Sequence, residues 1–410
     1  MREVHRFIAD AVLLSDNFEA VAGRFATRKM APTGRRIAVV GAGPAGLTCA
    51  FYLTLLGHEV TIFESQPEAG GMLRYAIPEY RLPKHVLARE VELIARLGVQ
   101  FRFGTAVGSA ISLHELDEQF DAVFLSIGTW KESWVYLAGT ELQGVYPALP
   151  FLEGIASGQM KQVGRRVAVI GGGNAAVDSA RSARRMGADA TILYRRQRKD
   201  MPAIKEEVDA AEKEGVRLSF LSMPHRILGD ARGLVKGIEI EKTRLGEYDP
   251  SGRRKPVPTG EVVRFDCETI VLAVGETVDM DFARASGLTL TESGTFVVDR
   301  YSLETSRSKF YAGGDVITGA SNVSNAMGYG KKAARKIDEQ LMGAKRFPQL
   351  LNGFEYSQAL VENPSASPRH RSAELEPALR VLGDREVVIG LTAEQARDEA
   401  SRCLRCDVRG

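Results

Sequence analysis

The sequence predicts an α/β protein in which one domain is inserted into another, and three observations indicate this fold class. First, a short apolar run ends in the glycine-rich turn 41–46, and a helical pattern follows it. Second, the same pattern of strand, turn and helix recurs at 171–176. Third, a further glycine-ended strand and helix, 309–330, come only after that second unit. Such units are typical of Rossmann-like dinucleotide-binding domains, so we predict two of them, the second interrupting the first.

The overall composition is that of an ordinary globular protein and excludes several functional classes. The chain of 410 residues is 44% hydrophobic and 26% charged, and its net charge of +2 gives no strong attraction for nucleic acid. No apolar stretch is long enough to span a membrane, and the N-terminal residues do not resemble a signal peptide. We therefore expect a cytoplasmic protein with no nucleic-acid partner and no membrane span.

The first glycine-rich turn contains what a pyrophosphate site needs. Its predicted binding residues are Gly41, Gly43, Pro44, Ala45 and Gly46. The glycines permit a tight turn, a close approach of the backbone to phosphate, and packing of the helix on the strand. The helix N-terminus adds unpaired N–H groups and the positive end of a dipole. The next strand ends in Glu64, where a carboxylate can accept hydrogen bonds from a ribose diol.

The second turn predicts a second dinucleotide and leaves two candidates for it. The predicted binding residues are Gly171, Gly173, Asn174 and Ala175 at the turn and helix start, with Arg195 and Arg196 after the next strand. Tyr194 ends that strand, at the place that Glu64 has in the first unit. A carboxylate there would repel a 2′-phosphate, whereas guanidinium groups bind it. The arginine pair modestly favours NADP, and NAD stays an alternative because paired arginines also occur in NAD-using flavoproteins.

One segment after the first unit has a distinctive sequence, Gly70-Gly71-Met72-Leu73-Arg74-Tyr75-Ala76-Ile77-Pro78-Glu79-Tyr80-Arg81-Leu82-Pro83-Lys84. It resembles a motif of the glutamate synthase small subunit family. The resemblance extends over about residues 35–340 and implies FAD at the first site. It also implies that Asp315 contacts the ribityl chain and that the helix starting near Asn322 faces the flavin, whose reduced form a helix dipole stabilises. The cofactor-binding residues predicted outside the two turns are Gly71, Met72, Leu73, Arg81, Val107, Gly128, Gly275, Gly314, Asp315, Asn322, Val323 and Ala326.

The predicted chemistry requires no catalytic side chain and no metal site. Hydride transfer between nicotinamide and flavin needs stacking, alignment and exclusion of water rather than a side-chain acid or base. The second domain has no Cys-x-x-Cys pair, so we do not expect a disulfide relay of the thioredoxin reductase kind. Cys49 and Cys267 are expected to be buried, unreactive thiols.

Four parts make up the predicted chain. They are an N-terminal helical arm, 1–34; an FAD-binding domain, 35–154 and 276–345; an NAD(P)-binding domain, 155–275; and a C-terminal docking tail, 346–410. Members of the resembled family carry an N-terminal iron–sulfur domain, and we expect it to be absent here because no cysteine precedes Cys49. Cys403 and Cys406 resemble the opening of that domain and indicate either free thiols on a docking tail or a cluster shared with a partner.

These inferences predict an oxidoreductase that serves as the FAD-containing electron-transfer subunit of a larger complex. It would exchange a hydride with NAD(P)H and electrons with a polyferredoxin-like iron–sulfur partner. Complexes resembling glutamate synthase, bifurcating enzymes or aldehyde oxidoreductases are candidates. Two alternatives stay open: a free-standing NAD(P)H-dependent reductase of a small organic acceptor, and a flavin-binding structural or redox-sensing subunit.

Overall fold

Helices and strands alternate along most of the chain, whose computed structural model describes residues 2–133, 137–249, 252–351 and 368–401. The helices are α1 (Arg2–Leu13), α2 (Asn17–Ala26), α3 (Pro44–Leu55), α4 (Met72–Tyr75), α5 (Lys84–Arg96), α6 (Leu113–Gln119), α7 (Ala148–Ala156), α8 (Asn174–Arg185), α9 (Lys205–Lys213), α10 (Met280–Ala285), α11 (Asp315–Thr318), α12 (Val323–Met342), α13 (Pro377–Arg380) and α14 (Ala393–Ser401). The strands are β1 (Arg36–Val40), β2 (Glu59–Phe63), β3 (Gln100–Arg102), β4 (Ala122–Leu125), β5 (Lys131–Glu132), β6 (Val145–Pro147), β7 (Arg166–Ile170), β8 (Asp189–Tyr194), β9 (Arg217–Phe220), β10 (Ser222–Gly229), β11 (Val235–Tyr248), β12 (Arg254–Phe265), β13 (Thr269–Leu272), β14 (Glu276–Thr277), β15 (Phe310–Ala312), β16 (Ala373–Glu374) and β17 (Val388–Gly390).

The first domain is built on a parallel sheet with the strand order β15-β4-β1-β2-β3. Both faces are covered, as a parallel sheet requires. Ile37 and Val39 of β1 pack towards α3, α5 and α12, whereas Ala38 and Val40 pack towards α6, α10 and α11. Because β15 comes from far beyond the second domain in the chain, the predicted discontinuous domain is confirmed.

The second domain has its own parallel sheet, with the strand order β6-β13-β7-β8-β9. Helices α7, α8 and α9 cover one face, where Phe151 and Val177 belong to the core. Residues 145–156 lie in this domain because β6 pairs with β13 and α7 packs beside it, whereas we predicted the domain to begin at 155. Strand β6 has only three residues and a partner far along the chain, so local sequence patterning does not reveal it.

A three-stranded antiparallel sheet, β10-β11-β12, covers the other face of the second domain. Its Ile227, Ile238 and Ile240 pack against Ala168 and Ile170 of β7. The two passages of the chain between the domains lie side by side, because β5 and β14 form an antiparallel pair. These passages join the two domains at one edge.

The N-terminal and C-terminal segments pack against each other. Arg6 of α1 donates a hydrogen bond to the Val388 carbonyl oxygen over 2.9 Å, and helix α14 also contacts α1. Helix α14 begins with a capping box, in which the Gln395 N–H donates to Thr392 Oγ1 and Gln395 Oε1 accepts from the Thr392 N–H. Cys403 and Cys406 lie outside the described residues. Within the described ranges, no helix has both the length and the apolar character needed to cross a bilayer.

Candidate functional site

A cleft of about 1670 Å³ lies between the two domains, at the carboxyl ends of both parallel sheets. Its walls include Gly41 after β1, Glu64 after β2, Gly171 after β7 and Tyr194 at the end of β8. Ligands of doubly wound α/β folds bind at this end of the strands. The two glycine-rich turns therefore open into one shared space.

The predicted site residues come together in this cleft, with two exceptions. Lining it are Gly41, Gly43, Pro44, Ala45, Glu64, Gly71, Met72, Leu73, Arg81, Val107, Gly128, Gly171, Gly173, Asn174, Ala175, Arg195, Arg196, Gly275, Asp315, Asn322, Val323 and Ala326. Gly46 lies behind the first turn, where an added Cβ would stand 2.0 Å from the Gly41 carbonyl oxygen. Gly314 precedes α11, and its Cβ would stand 3.0 Å from that of Ala45. Both permit close packing rather than forming the cleft wall.

Glu64 is held in place by the backbone of the first site. Its Oε2 accepts from the Ala42 N–H over 2.7 Å, and its Oε1 accepts from the Gln66 N–H over 2.8 Å. Oε1 also accepts from the Ser65 hydroxyl over 3.2 Å, so Oε2 is the oxygen that keeps a lone pair for a ligand hydroxyl. The side chain is therefore oriented and still able to accept a hydrogen bond from a ribose hydroxyl.

The far wall of the first site carries a helix N-terminus and a buried carboxylate. Asn322 caps the 20-residue helix α12, because its Oδ1 accepts from the Asn325 N–H over 2.9 Å. Asp315 Oδ1 is buried, and within the described structure it has no hydrogen-bond partner. Burial raises the pKa of Asp315, and a hydrogen bond from the Ser321 backbone opposes that shift. A buried acceptor without a donor carries an energetic cost that a bound hydroxyl would remove.

The second turn is braced by Tyr194 and Asn174. The Tyr194 ring lies so close to Gly172 that an added Cβ would stand 2.5 Å from the ring, and the Tyr194 hydroxyl donates to the Asp200 carbonyl oxygen over 2.6 Å. Asn174 Oδ1 accepts from the Ile204 N–H over 3.0 Å at the start of α8. These contacts fix the loop after β8 relative to the turn after β7.

The two predicted arginines differ in their surroundings. Arg196 is buried and clamps the end of the β11–β12 hairpin, donating from Nε to the Arg254 carbonyl oxygen and from Nη2 to Asp249 Oδ2, each over 2.7 Å. Arg195 is exposed at the cleft, and its pKa is lowered by partial burial and by the nearby charges of Arg196 and Arg253. Arg195 is therefore the member of the pair better placed to receive an anion.

Three further cleft residues had no signal in the sequence. Arg253 reaches the cleft from the hairpin that Arg196 clamps. Asp178 lies on α8 and pairs with Arg81 of the first domain over 2.6 Å. Glu276 lies at the crossing between the domains, where burial raises its pKa and the charges of Asp315 and Glu132 add to that shift. All three reach the cleft through long-range packing, which spacing along the sequence does not reveal.

Two dinucleotide-binding domains that share one cleft define a flavin- and nicotinamide-dependent oxidoreductase. The chain belongs to the pyridine nucleotide-disulphide oxidoreductase family, whose model matches residues 35–330. Within that family it is a member of the glutamate synthase small subunit group: it is 35% identical to the "Glutamate synthase [NADPH] small chain" of Escherichia coli over 322 residues, which cover 74% of this chain and 68% of the relative. The chain is therefore an NAD(P)H-dependent FAD oxidoreductase.

Two further relatives match more of the chain. It is 38% identical to the "NADP(+)-dependent formate dehydrogenase subunit beta" of Moorella thermoacetica, over 91% of this chain and 55% of the relative. It is 36% identical to the "NADPH-Fe(3+) oxidoreductase subunit beta" of Geobacter sulfurreducens, over 91% of this chain and 61% of the relative. The chain thus spans less than two thirds of the length of these two relatives.

Solved structures support the fold. FprA of Mycobacterium tuberculosis in complex with NADPH superimposes with a TM-score of 0.64 at 21% identity, over 77% of this chain and 86% of that one. The thioredoxin reductase of T. acidophilum superimposes with a TM-score of 0.59 at 22% identity, over 75% and 99%. At this level of identity the likeness establishes the two-domain architecture alone.

Proposed function

We propose that this chain is the FAD-containing subunit that exchanges a hydride with NADPH and relays electrons to or from an iron–sulfur partner subunit. The observation that carries the proposal is the shared cleft, into which both glycine-rich turns and both helix N-termini open. A nicotinamide and a flavin bound there would share one cleft. Bound FAD would accept the hydride and release its two electrons one at a time.

The first half of the cleft fits FAD. The turn at Gly41 and Gly43, with the N-terminus of α3, would bind the pyrophosphate, and the oriented carboxylate of Glu64 would bind a ribose diol. Asp315 Oδ1, the buried acceptor without a partner in the described structure, would accept from a ribityl hydroxyl. The N-terminus of α12 would stabilise negative charge on the flavin. The predicted division into an FAD domain, an NAD(P) domain, an arm and a tail is part of this proposal.

The second half favours NADPH over NADH. Arg195 is exposed at the cleft, and its positive neighbours, Arg196 and Arg253, lower its pKa. Cations held this close to one another favour a doubly charged anion such as a 2′-phosphate. The NADP or NADPH in the names of three relatives supports the same choice.

Rapid mixing under anaerobic conditions tests the nucleotide proposal. The FAD-loaded chain is mixed with NADPH and with NADH, and the flavin absorbance is followed. We expect NADPH to bleach the flavin at lower concentration, and Arg195→Ala to raise the NADPH dissociation constant about 10-fold while that for NADH changes little. Lys199→Ala is the matched control, because this exposed cation lies in the same loop outside the cleft. Equal use of both nucleotides by the wild type would contradict the preference.

A second measurement tests the partner. The NADPH-reduced chain is mixed anaerobically with an oxidised ferredoxin holding two [4Fe–4S] clusters, and cluster reduction is followed in the visible spectrum. The proposal predicts catalytic reduction of the clusters, with about two electrons delivered per NADPH consumed. Slow cluster reduction together with steady turnover on a small quinone would favour the free-standing reductase. Flavin that stays oxidised with both nucleotides would favour the structural or sensing role.

A further inference from the structure

One segment of the first domain reaches across the cleft into the second domain. It begins at Gly71, where an added Cβ would stand 2.9 Å from the Gly43 Cα of the first turn, and it ends at Lys84. Between them, Tyr80 and Arg81 contact helix α8, whose N-terminus forms the second site. The same short stretch of chain therefore touches both nucleotide sites.

Arg81 makes the direct bridge between the domains. Its Nη1 lies 2.6 Å and 2.8 Å from the two carboxylate oxygens of Asp178, and its Nε lies 3.4 Å from Glu207 Oε1. Asp178 is 4% exposed, and both Arg81 and Asp178 line the cleft. The guanidinium was predicted to bind a cofactor, and in the structure two of its nitrogens face carboxylates of the second domain.

Tyr80 extends this bridge into a buried cluster. Its ring is 1% exposed and lies beneath the guanidinium groups of Arg185 and Arg181, at 3.5 Å and 4.7 Å from the ring centroid. Glu214 holds both arginines, with Arg181 Nη2 at 2.6 Å and Arg185 Nη1 at 2.8 Å. The Tyr80 hydroxyl completes the contact by donating to the Asp178 carbonyl oxygen over 3.4 Å.

Such a cluster specifies geometry more than it adds stability. Desolvation of buried ion pairs offsets much of their attraction, but the fixed directions of a guanidinium fork allow few arrangements. The two passages of the chain between the domains lie together at β5 and β14, and a connection at one edge does not by itself fix the angle between the domains. Domains joined in this way move relative to each other unless a further contact fixes them.

We propose that Arg81 and Asp178 are positioning residues that fix the orientation of the two dinucleotide domains and thereby the separation of nicotinamide and flavin. The proposal rests on the proposed function, because that separation matters only if a hydride passes between the two groups. A small change in it is expected to slow the transfer strongly while leaving each nucleotide's own contacts intact.

The test uses the FAD-loaded full chain and separates the transfer rate from binding. Arg81→Lys keeps the charge and removes the fork, and Asp178→Asn keeps the shape and removes the charge. The limiting rate of flavin reduction at saturating NADPH is measured by rapid mixing, and affinity for 2′,5′-ADP is measured by calorimetry. We expect each variant to lower the limiting rate about 10-fold or more, to change 2′,5′-ADP affinity by less than about twofold, and to retain FAD. The double variant should be no slower than the slower single one, since both remove the same bridge.

Arg89→Lys is the matched control, because Arg89 pairs with Glu92 over 2.6 Å within α5, and its contacts with the Leu13 carbonyl oxygen and the Phe18 ring join that helix to the N-terminal arm rather than to the second domain. If the flavin of both variants is reduced as fast as that of the wild type, the inference about Arg81 and Asp178 is wrong and the proposed function is unaffected. Loss of 2′,5′-ADP affinity with an unchanged limiting rate also overturns it, since the pair would then serve the nucleotide pocket. If Arg81→Lys does not fold, Asp178→Asn decides by the same two measurements. Wild-type protein that holds FAD but is reduced by neither nucleotide overturns the proposed function and the inference together.

Discussion

Replacing Asp315 with asparagine should change the stability of the apoprotein and its affinity for FAD in opposite directions. One carboxylate oxygen is buried and has no partner within the described structure, and the carboxylate also receives a hydrogen bond from the Ser321 backbone. Asparagine has the same shape and keeps an acceptor for the Ser321 N–H. The substitution therefore removes the buried charge with little change in packing.

The magnitudes follow from what that charge does in each state. In the apoprotein an unsatisfied buried polar group costs about 1–3 kcal/mol, and a charged one costs more. We therefore expect removal of the charge in Asp315→Asn to stabilise the apoprotein by about 1 kcal/mol, or about 1 °C in melting temperature for a chain of 410 residues. In the FAD complex a charge-assisted hydrogen bond becomes a neutral one. That loss of about 1–1.5 kcal/mol weakens FAD binding about 5- to 13-fold.

The stabilisation of the apoprotein by Asp315→Asn should depend on pH in a defined direction. Burial raises the pKa of Asp315, so the folded apoprotein holds this proton more tightly than the unfolded chain does. The wild type therefore loses stability as the pH rises from the ordinary aspartate range through the raised pKa, and the asparagine variant lacks this loss. The advantage of Asp315→Asn should grow as the pH rises through the raised pKa and shrink in acid.

Melting of apoprotein at several pH values, together with FAD titration by fluorescence quenching, measures both effects. Asp281→Asn is the control, because this aspartate is exposed and lies in the same domain outside the cleft. An apoprotein destabilised by Asp315→Asn, or FAD bound as tightly as by the wild type, would refute the reasoning.

Three further predictions concern other parts of the chain. Gly43→Ala should abolish flavin retention and leave the melting temperature of the apoprotein near that of the wild type, because the added Cβ meets nothing within 4 Å and lies at the cleft. Gly46→Ala should instead lower the free energy of unfolding by about 2 kcal/mol or more, because the added Cβ meets a backbone oxygen. N-ethylmaleimide should leave Cys49 and Cys267 unmodified in the native protein and label both in denaturant. The reason is that both thiols are buried and that burial raises their pKa values. Peptide mass mapping of the labelled protein measures this. Burial lowers the pKa of Lys84 to about 8, so the folded protein releases this proton more readily than the unfolded chain does. The wild type should therefore gain stability relative to Lys84→Met as the pH rises from about 8 towards 10.5. Urea unfolding midpoints at the two pH values test this direction.

The sequence predicted those parts of the site that local chain geometry determines. The strand before the first turn, the next strand with Glu64 at its end and the helix that starts near Asn322 are as expected, because apolar runs and glycine turns are short-range signals. Each turn lies at the carboxyl end of its own parallel sheet, as the rule for ligand sites in such sheets predicts, whereas the single cleft that both turns line depends on how the two domains pack. Burial of Cys49 and Cys267 is also confirmed: Cys49 lies in the apolar helix α3, whereas Cys267 has charged neighbours in the chain and is buried in the core beneath the β10-β11-β12 sheet.

Features that depend on packing between distant segments could not be predicted. The sequence made Arg195 and Arg196 equivalent, whereas contacts with the β11–β12 hairpin separate them: Arg196 is buried against Asp249, and Arg195 remains exposed at the cleft. Strand β6 was missed because three residues carry too little pattern, and its place in the second sheet depends on β13. The β10-β11-β12 sheet was not predicted either, because its role depends on the face of the second sheet that it covers, and that face is known only from the folded structure.

The segment from Gly71 to Lys84, on which the family resemblance chiefly rests, has a physical reason to be so specific. Gly71 lies against the first turn, Arg81 bridges to the second domain, and Lys84 Nζ donates to three backbone carbonyls of the segment, those of Leu73, Ile77 and Leu82. Lys84 thus fixes the path of the chain between the two contacts. A substitution that displaces this path is expected to change the geometry at both ends, because one contact lies at each nucleotide site. For that reason a rate defect from Lys84→Met should resemble one from Arg81→Lys, although Lys84 does not line the cleft.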